Sequence, residues 1–270
     1  MAITTLDGAL AGMQPPRDII KVATPTLVAG RPHSLFYLAG IPAAAAISPT
    51  PGIGGAVLTS FPGQIPFDNP AGELRTYLAR LQAQATIAGT LWLCDRLWHN
   101  SGIDETSTGE QTFTDSAQIP ARDMNGTNAG DGVFAALEVS VATGAGTPTL
   151  TLKYTNQDGT ADKTATNIIA TVASSAAGAF YPIGLAAGDK GIQKAQSLQL
   201  SATWTQGETH LVLYRVLAKL ELPLAFVPSA MDAFTGGFVR MYNNTVPFLV
   251  FVPATTTASV IQGHVIWSQG

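Results

Sequence analysis

Few residues of this chain stand at spacings that chemistry would need. Cys94 and His99, five residues apart in TIAGTLWLCDRLWHN (86–100), are its one thiol–imidazole pair. On a strand an odd separation sends two side chains to opposite faces. Burial in an apolar run also raises a thiol pKa instead of generating a thiolate, so Cys94 reads as a structural core residue. The adjacent Asp95-Arg96 reads as a local ion pair or hydrogen-bonding pair closing a strand end. His33, His99, His210 and His264 are too scattered for metal-ligand spacing. The loop Arg122–Gly132, RDMNGTNAGDG, offers oxygen donors for calcium but lacks the register and terminal bidentate Glu of an EF-hand. Asn, Asp and Gly also build tight turns without any ion. Gly52-Ile53-Gly54-Gly55 and Gly144-Ala145-Gly146 have neither the strand-to-helix context nor the Lys of a phosphate loop. Asp123, Asp131 and Glu138 are the clustered acids that a hydrolase of cell-wall or surface sugars would have to pair. With no GxSxG elbow or HExxH helix either, the expectation is a protein that is not an enzyme and carries no metal or cofactor.

The elements around these residues are poor in charge. Charged residues make up 12% of the 270, about half the usual ~25%, while 46% are hydrophobic. Pro32–Phe67 and Met241–Gly270 contain no Asp, Glu, Lys or Arg at all. In the first stretch Pro32, Pro42, Pro49, Pro51, Pro62 and Pro66 block regular helix, while Leu35, Phe36, Tyr37, Leu38, Phe61 and Phe67 offer large apolar side chains. Disorder favours the opposite composition, so the stretch reads as an extended arm packed on other surface, of this subunit or of a neighbour. Those six residues are the candidate assembly contacts. The mean hydropathy of +0.21 raises the question of a membrane span. Pro, Gly, Thr and Gln break every apolar run before ~20 residues, so no membrane partner is expected. The opening MAITTLDGALAG lacks the basic n-region and compact h-region of a signal peptide. Scattered Lys and Arg and a net charge of −4 argue against direct nucleic-acid binding. So little charge favours association. The single cysteine excludes an internal disulfide framework and agrees with folding in a reducing cytoplasm.

The periodicity is that of strands. Val133–Ala142 and Thr149–Thr155 approximately alternate, with Leu150, Leu152 and Tyr154 on one face. Asn156-Gln157-Asp158-Gly159 supplies a turn and Lys163–Val172 a return strand. Ser197–Thr205 and Thr209–Leu220 read as a second hairpin about Gln206-Gly207-Glu208, the latter strand long enough to be central. Phe238–Tyr242 and Thr245–Val252 read as a third about Asn243-Asn244, with Ser259–Ser268 a last strand. Leu74, Tyr77, Leu78 and Leu81 recur at helical spacing, which predicts one short helix before a buried strand from Thr86. The predicted fold is mainly β. An antiparallel β-sandwich or jelly-roll-like body (71–222) carries an extended Pro/Gly-rich N-terminal arm (1–70) and a C-terminal hairpin and strand extension (223–270).

Several blocks resemble tailed-bacteriophage virion proteins: LDGALAGMQPPRD (6–18), SLFYLAGIP (34–42), FPGQIPFDNP (61–70), LWLCDRLWHNSG (91–102), IPARDMNG (119–126), DGV (131–133) and GTPTLTLKYTNQDGT (146–160). The resemblance implies a head- or neck-associated structural role, with no catalytic residues to carry over. The expectation is a capsid decoration or cementing subunit in the virion, assembled in the host cytoplasm. Its partners would be the major capsid protein or other virion proteins, and it would be a homo-oligomer, with a trimer as the expected form. The alternative is a neck, tail or head-fibre adhesion protein, for which Trp92, Trp98, Trp204 and Trp267 would be the aromatic candidates.

Overall fold

The computed structural model describes residues 3–22, 24–45 and 51–270; Pro49 of the predicted arm lies outside the described residues. The elements in chain order are α1 (Leu6–Ala11), β1 (Arg17–Lys21), β2 (His33–Ser34), β3 (Gly40–Ile41), β4 (Ala56–Val57), β5 (Thr76–Ala85) and β6 (Gly89–His99). They continue with β7 (Gln111–Thr112), β8 (Val133–Val141), β9 (Leu150–Asn156), β10 (Lys163–Thr166), β11 (Phe180–Ile183), β12 (Ile192–Leu200) and β13 (Glu208–Leu222). Last come β14 (Ser229–Asp232), α2 (Ala233–Gly236), β15 (Arg240–Met241), β16 (Pro247–Pro253) and β17 (Ile261–Gln269). The protein is mainly β, a sandwich-like body of antiparallel sheets with two short helices among the described residues.

The central sheet runs β11-β8-β13-β6-β16-β2, with β4 paired to β6. A second sheet runs β14-β5-β17-β1-β3, and a third β10-β9-β12-β7. Both smaller sheets pack on one face of the central sheet. Leu91 and Leu93 of β6 with Leu220 and Leu222 of β13 meet Leu81, Ile261 and Trp267 of the second sheet. Further along the same strands, Leu97, Trp98, Leu211 and Leu213 meet Leu150, Leu152, Tyr154 and Leu198 of the third. The opposite face of the central sheet carries Cys94, Ala136, Phe180, Val212, Tyr214, Phe248 and Val250, onto which Phe36, Ala45 and Phe61 are laid.

Several expected strands are present. β8, β9 and β17 match, β9 alternates strictly between buried and half-buried residues, and Gly159 closes the Asn156 turn at φ 77°. The return strand is shorter than expected, since β10 ends at Thr166. Two predicted hairpins are not hairpins. β12 pairs with β9 and β7 while β13 pairs with β6 and β8, so Gln206-Gly207-Glu208 carries the chain from one sheet to another. Likewise β15 pairs with β5 and β16 with β6 and β2, and the turn at Asn244 (φ 63°) crosses between layers. A turn signal reports a change of direction, not the identity of the next partner.

The predicted helix is also a strand, β5, and its helix-like spacing has a cause. Opposite Ile266 and Trp267 of β17 the register jumps from Arg80 to Leu78, leaving Ala79 as the extra residue of a bulge. The bulge lets Leu78, Ala79 and Leu81 all face inward. A period of two therefore acquires an i, i+3 step that imitates a helix.

The stretch Pro32–Phe67 finds partner surface within its own subunit. β2 pairs with β16 and β4 with β6, and Leu35 and Phe36 are each only 1% exposed. Tyr37, Leu38, Phe61 and Phe67 are half-buried. Phe36 stacks on Phe61 at 5.5 Å and meets Phe248 edge-on at 5.9 Å, while Phe67 meets Trp267 at 6.0 Å. Gly55, at φ 72°, crosses the Trp98 indole so closely that a Cβ there would collide with the ring. Lys21 Nζ ties the segment down by donating to the carbonyls of Leu38 (3.0 Å) and Pro42 (2.7 Å), and burial lowers its pKa to about 8. Meanwhile β1 lies between β17 and β3. Removing residues 1–70 therefore strips strands from two sheets and uncovers the face holding Phe248 and Val250. The truncated chain is expected to lose its cooperative thermal transition; a sharp melt and native near-UV dichroism would contradict this packing.

Candidate functional site

Asp95 and Arg96 occupy neighbouring positions on β6 and so point to opposite faces of the central sheet. They do not pair with each other, as the sequence suggested, and they lie mid-sheet, both 0% exposed. Asp95 lies between the two cores, on the face shared by the smaller sheets. Arg122 reaches it in a fork, Nε to Oδ2 at 3.1 Å and Nη2 to Oδ1 at 3.3 Å. The other guanidinium protons go to the carbonyls of Leu58 (2.8 Å), Arg96 (3.2 Å) and Asn244. Asp95 Oδ1 also accepts from the Val246 amide at 2.9 Å. One ion pair thus joins β6, the segment after β4, the 119–132 loop and the turn before β16. Arg215, cross-strand from Asp95, is buried beside it and donates to the carbonyls of Asp123 and Arg240.

On the other face Arg96 Nη1 approaches Glu138 Oε2 at 2.6 Å, with both side chains 0% exposed. The approach is close but lies off the hydrogen-bond axis, so charge attraction is what holds it. The guanidinium lies over the rings of Phe36 (4.6 Å) and Phe248 (5.6 Å). Its Nε donates to His99 Nδ1 at 3.1 Å, which fixes that imidazole as neutral. Burial first, then the charges of Arg96 and His210, lower the His99 pKa to about 2. Burial followed by the charge of Glu138 raises the pKa of Tyr37, whose ring sits beside His210. The expectation that Cys94 and His99 face opposite ways fails at another bulge. Leu97 is skipped in the pairing with β13, which returns His99 to the face of Cys94 and Arg96. Burial raises the Cys94 thiol pKa far above its ordinary value, as the sequence suggested.

One nucleophile-and-base geometry escaped sequence reasoning. His210 Nε2 lies 2.6 Å from Ser140 Oγ, and its Nδ1 lies 2.9 Å from the Asn100 carbonyl. A carbonyl can only accept, so Nδ1 carries the proton and Nε2 accepts from the serine. These residues come from β13, β8 and the end of β6, with His210 lying 70 positions from Ser140 and 110 from Asn100, and no local motif could have shown them. His210 reaches a cleft of about 220 Å³ with Glu105 and Glu208, but Ser140 is 2% exposed and does not line it. The dyad cross-links strands.

The acids of the 122–132 loop are spent within it. Asp123 is 0% exposed and accepts from the amides of Asn125 (2.9 Å), Thr127 (2.7 Å) and Gly130 (3.0 Å) and from Thr127 Oγ1 (2.6 Å). Burial opposes these bonds, but together they lower its pKa. Asp131 accepts from Asn125, whereas Glu138 sits with Arg96 on the other face of the sheet, so the three acids do not converge. Among the described residues no group of three or more His, Cys, Asp or Glu is placed to hold a metal.

The open surface lies on the Arg96 face. The Pro32–Phe67 segment covers only part of that face, and the rest is a groove of about 460 Å³. Trp92, Phe134, Tyr214, Val216 and Val252 floor it, Ile168 and Leu185 rim it, and Lys219 Nζ lies 4.6 Å over Trp92. Trp98, Trp204 and Trp267 are 0–1% exposed core residues, leaving Trp92 as the one accessible indole.

No protein-family model and no curated protein matches the sequence. Among solved structures, the VP2 subviral particle of infectious bursal disease virus aligns with 95% of this chain and 81% of its own, at 10% identity and a TM-score of 0.21. T=1 particles derived from the same virus align with 95% and 79%, at 11% identity and a TM-score of 0.17. At TM-scores this low the folds do not superpose as a whole.

Two outcomes follow from the buried charges. Glu138→Leu leaves Arg96 uncompensated and should cost about 3–5 kcal/mol in urea unfolding, whereas Arg96→Met/Glu138→Leu together should restore most of it. A double mutant no better than the single would show that the pair itself holds the face together. His33, His99 and His210 all have pKa values lowered mainly by burial, His33 to about 4. The unfolded chain therefore takes up protons near pH 6.5 that the native state refuses. Stability should be full above that pH and fall as pH drops toward 4, by about 1.4 kcal/mol per pH unit each for His33 and His99, with His210 adding in the same direction. Thermal melts between pH 7.5 and 4 check the slope, which His33→Asn should flatten.

Proposed function

We propose that the chain is a non-enzymatic structural subunit of a bacteriophage virion. In this reading it is a decoration or cementing protein that binds the major capsid protein of the head shell as a homo-oligomer, a trimer in its expected form. The observation that carries the reading is the half-covered outer face of the central sheet, where Trp92, Phe134, Val216 and the rim residue Ile168, 68% exposed, form an apolar groove. Exposed apolar patches of this kind mark contact surfaces. The six candidate contacts of the sequence shift in emphasis. Leu35 is buried in the core between the central and second sheets and Phe36 on the Arg96 face, so both anchor the segment, and the half-buried Tyr37, Leu38, Phe61 and Phe67 are those within reach of a neighbour. Further apolar side chains stand at Leu224 (61% exposed), Phe226 (68%) and Phe234 (81%), beyond what one folded subunit needs. The blocks similar to tailed-phage virion proteins agree with this use.

The test adds purified protein to phage heads that lack it and measures occupancy by sedimentation and electron microscopy. Saturable, symmetric decoration is expected, and Ile168→Asp should lower apparent affinity at least tenfold without changing the melting temperature. Undecorated heads would sink the cementing role, and a bound Ile168→Asp variant at equal occupancy would remove the groove from the contact.

A further inference from the structure

A second cleft, of about 210 Å³, lies between the segment before β2 and the loop before β11. Thr26, Arg31, Pro32 and His33 wall one side, and Val172–Ala176 the other. Arg31 is its only charged wall residue. Among the described residues its guanidinium has no hydrogen-bond or ion-pair partner. It lies over the Tyr181 ring, 5.6 Å from the centroid, with Nε buried and unbonded. Positions 1, 2, 23 and 46–50 contain no acid that could complete the pair. Arg122 by comparison has acceptors for its whole fork and Arg96 has Glu138, whereas Arg240, over the Tyr242 ring, shares the unbonded Nε but lines no part of this cleft. Beside Arg31, His33 is 5% exposed with Nε2 unpartnered, pressed so close to Gly178 that a Cβ there would strike the ring.

A partly buried guanidinium without a counter-charge is costly, and its planar fork matches an oxyanion bidentately. The balance of charge selects which oxyanion. One guanidinium beside a neutral imidazole balances one negative charge, whereas a phosphate dianion would leave an excess in a cleft holding no second cation.

We propose that this cleft binds a carboxylate, held by the Arg31 fork, at a site that adjoins the apolar groove across Pro32. The group has two sources, a small free carboxylate or a carboxylate on a partner protein's chain. The test titrates the intact protein at fixed ionic strength and follows the Arg31 Nε–H resonance. The probes are acetate, acetyl-Ala-Ala-Ala with a free C-terminal carboxylate, its C-terminal amide, and inorganic phosphate. Saturable shifts with acetate and the peptide acid but not the amide are expected. A peptide acid at least fivefold tighter than acetate assigns the site to a partner chain, and equal affinities assign it to a small carboxylate. Arg31→Gln should weaken binding at least tenfold and Arg31→Lys severalfold, the latter keeping the charge but losing the fork. The proposal is overturned by no saturable shift with any carboxylate, by amide binding equal to the acid, by phosphate binding as tight as acetate, or by unchanged binding in Arg31→Gln. None of these outcomes depends on whether the protein decorates heads.

Discussion

Neighbouring residues on a strand must face opposite ways, and at Asp95-Arg96 this rule places opposite charges on the two faces of the central sheet. Neither charge can be left bare in so apolar an interior, so each face must deliver a partner from a distant part of the chain. Arg122 arrives from the 119–132 loop on one side and Glu138 from β8 on the other. The placement of almost everything else follows. Arg122 needs carbonyls from Leu58 and Asn244, which docks both the end of the proline-rich segment and the turn into β16. Arg96 needs flat apolar cover, which Phe36 and Phe248 supply. Such pairs add little net stability over apolar residues of the same size, but breaking one partner is expensive. They therefore select one arrangement of sheets over others that would bury equal area.

The proline-rich segment looks different in this light. Its lack of charge reads from sequence as a need for other surface, of this subunit or a neighbour, and this subunit supplies it: Leu35 enters the core between the central and second sheets and Phe36 the Arg96 face. Lys21 supplies donors for two carbonyls that the prolines and turns leave without strand partners. What the segment leaves uncovered is the remainder of the sheet, from Trp92 to Val216.

How much of this the sequence showed depends on range. The strands β8, β9, β13 and β17 were legible because alternation is a property of consecutive residues. The pairing of β12 and β15 was not, because Gly207 and Asn244 mark turns equally well whether the chain folds back on itself or crosses to another sheet. The two bulges, at Ala79 and Leu97, were invisible for a related reason. Each depends on the partner strand, and each shifts the side-chain phase, making β5 look helical and bringing His99 round to Cys94. The Ser140–His210 contact and the solitary Arg31 lie further still from local pattern. One joins two strands 70 positions apart, and the other is defined by the absence of an acid that any residue along the chain could have supplied.

The low charge of the chain understates how neutral its surface is. Lys21, Arg96, Arg122 and Arg215 are buried among the basic residues, and Asp95, Glu105, Asp123 and Glu138 among the acidic ones. A quarter of the charges therefore act inside, and because equal numbers of each sign are withdrawn the net charge of −4 is carried entirely by what remains outside. Charge at the surface is what keeps proteins apart in solution, so a fold that spends it on aligning its own sheets leaves an exterior more ready to associate than its composition indicates. The device that specifies the interior and the low charge of the exterior thus have a common origin in where these few ionised groups are placed.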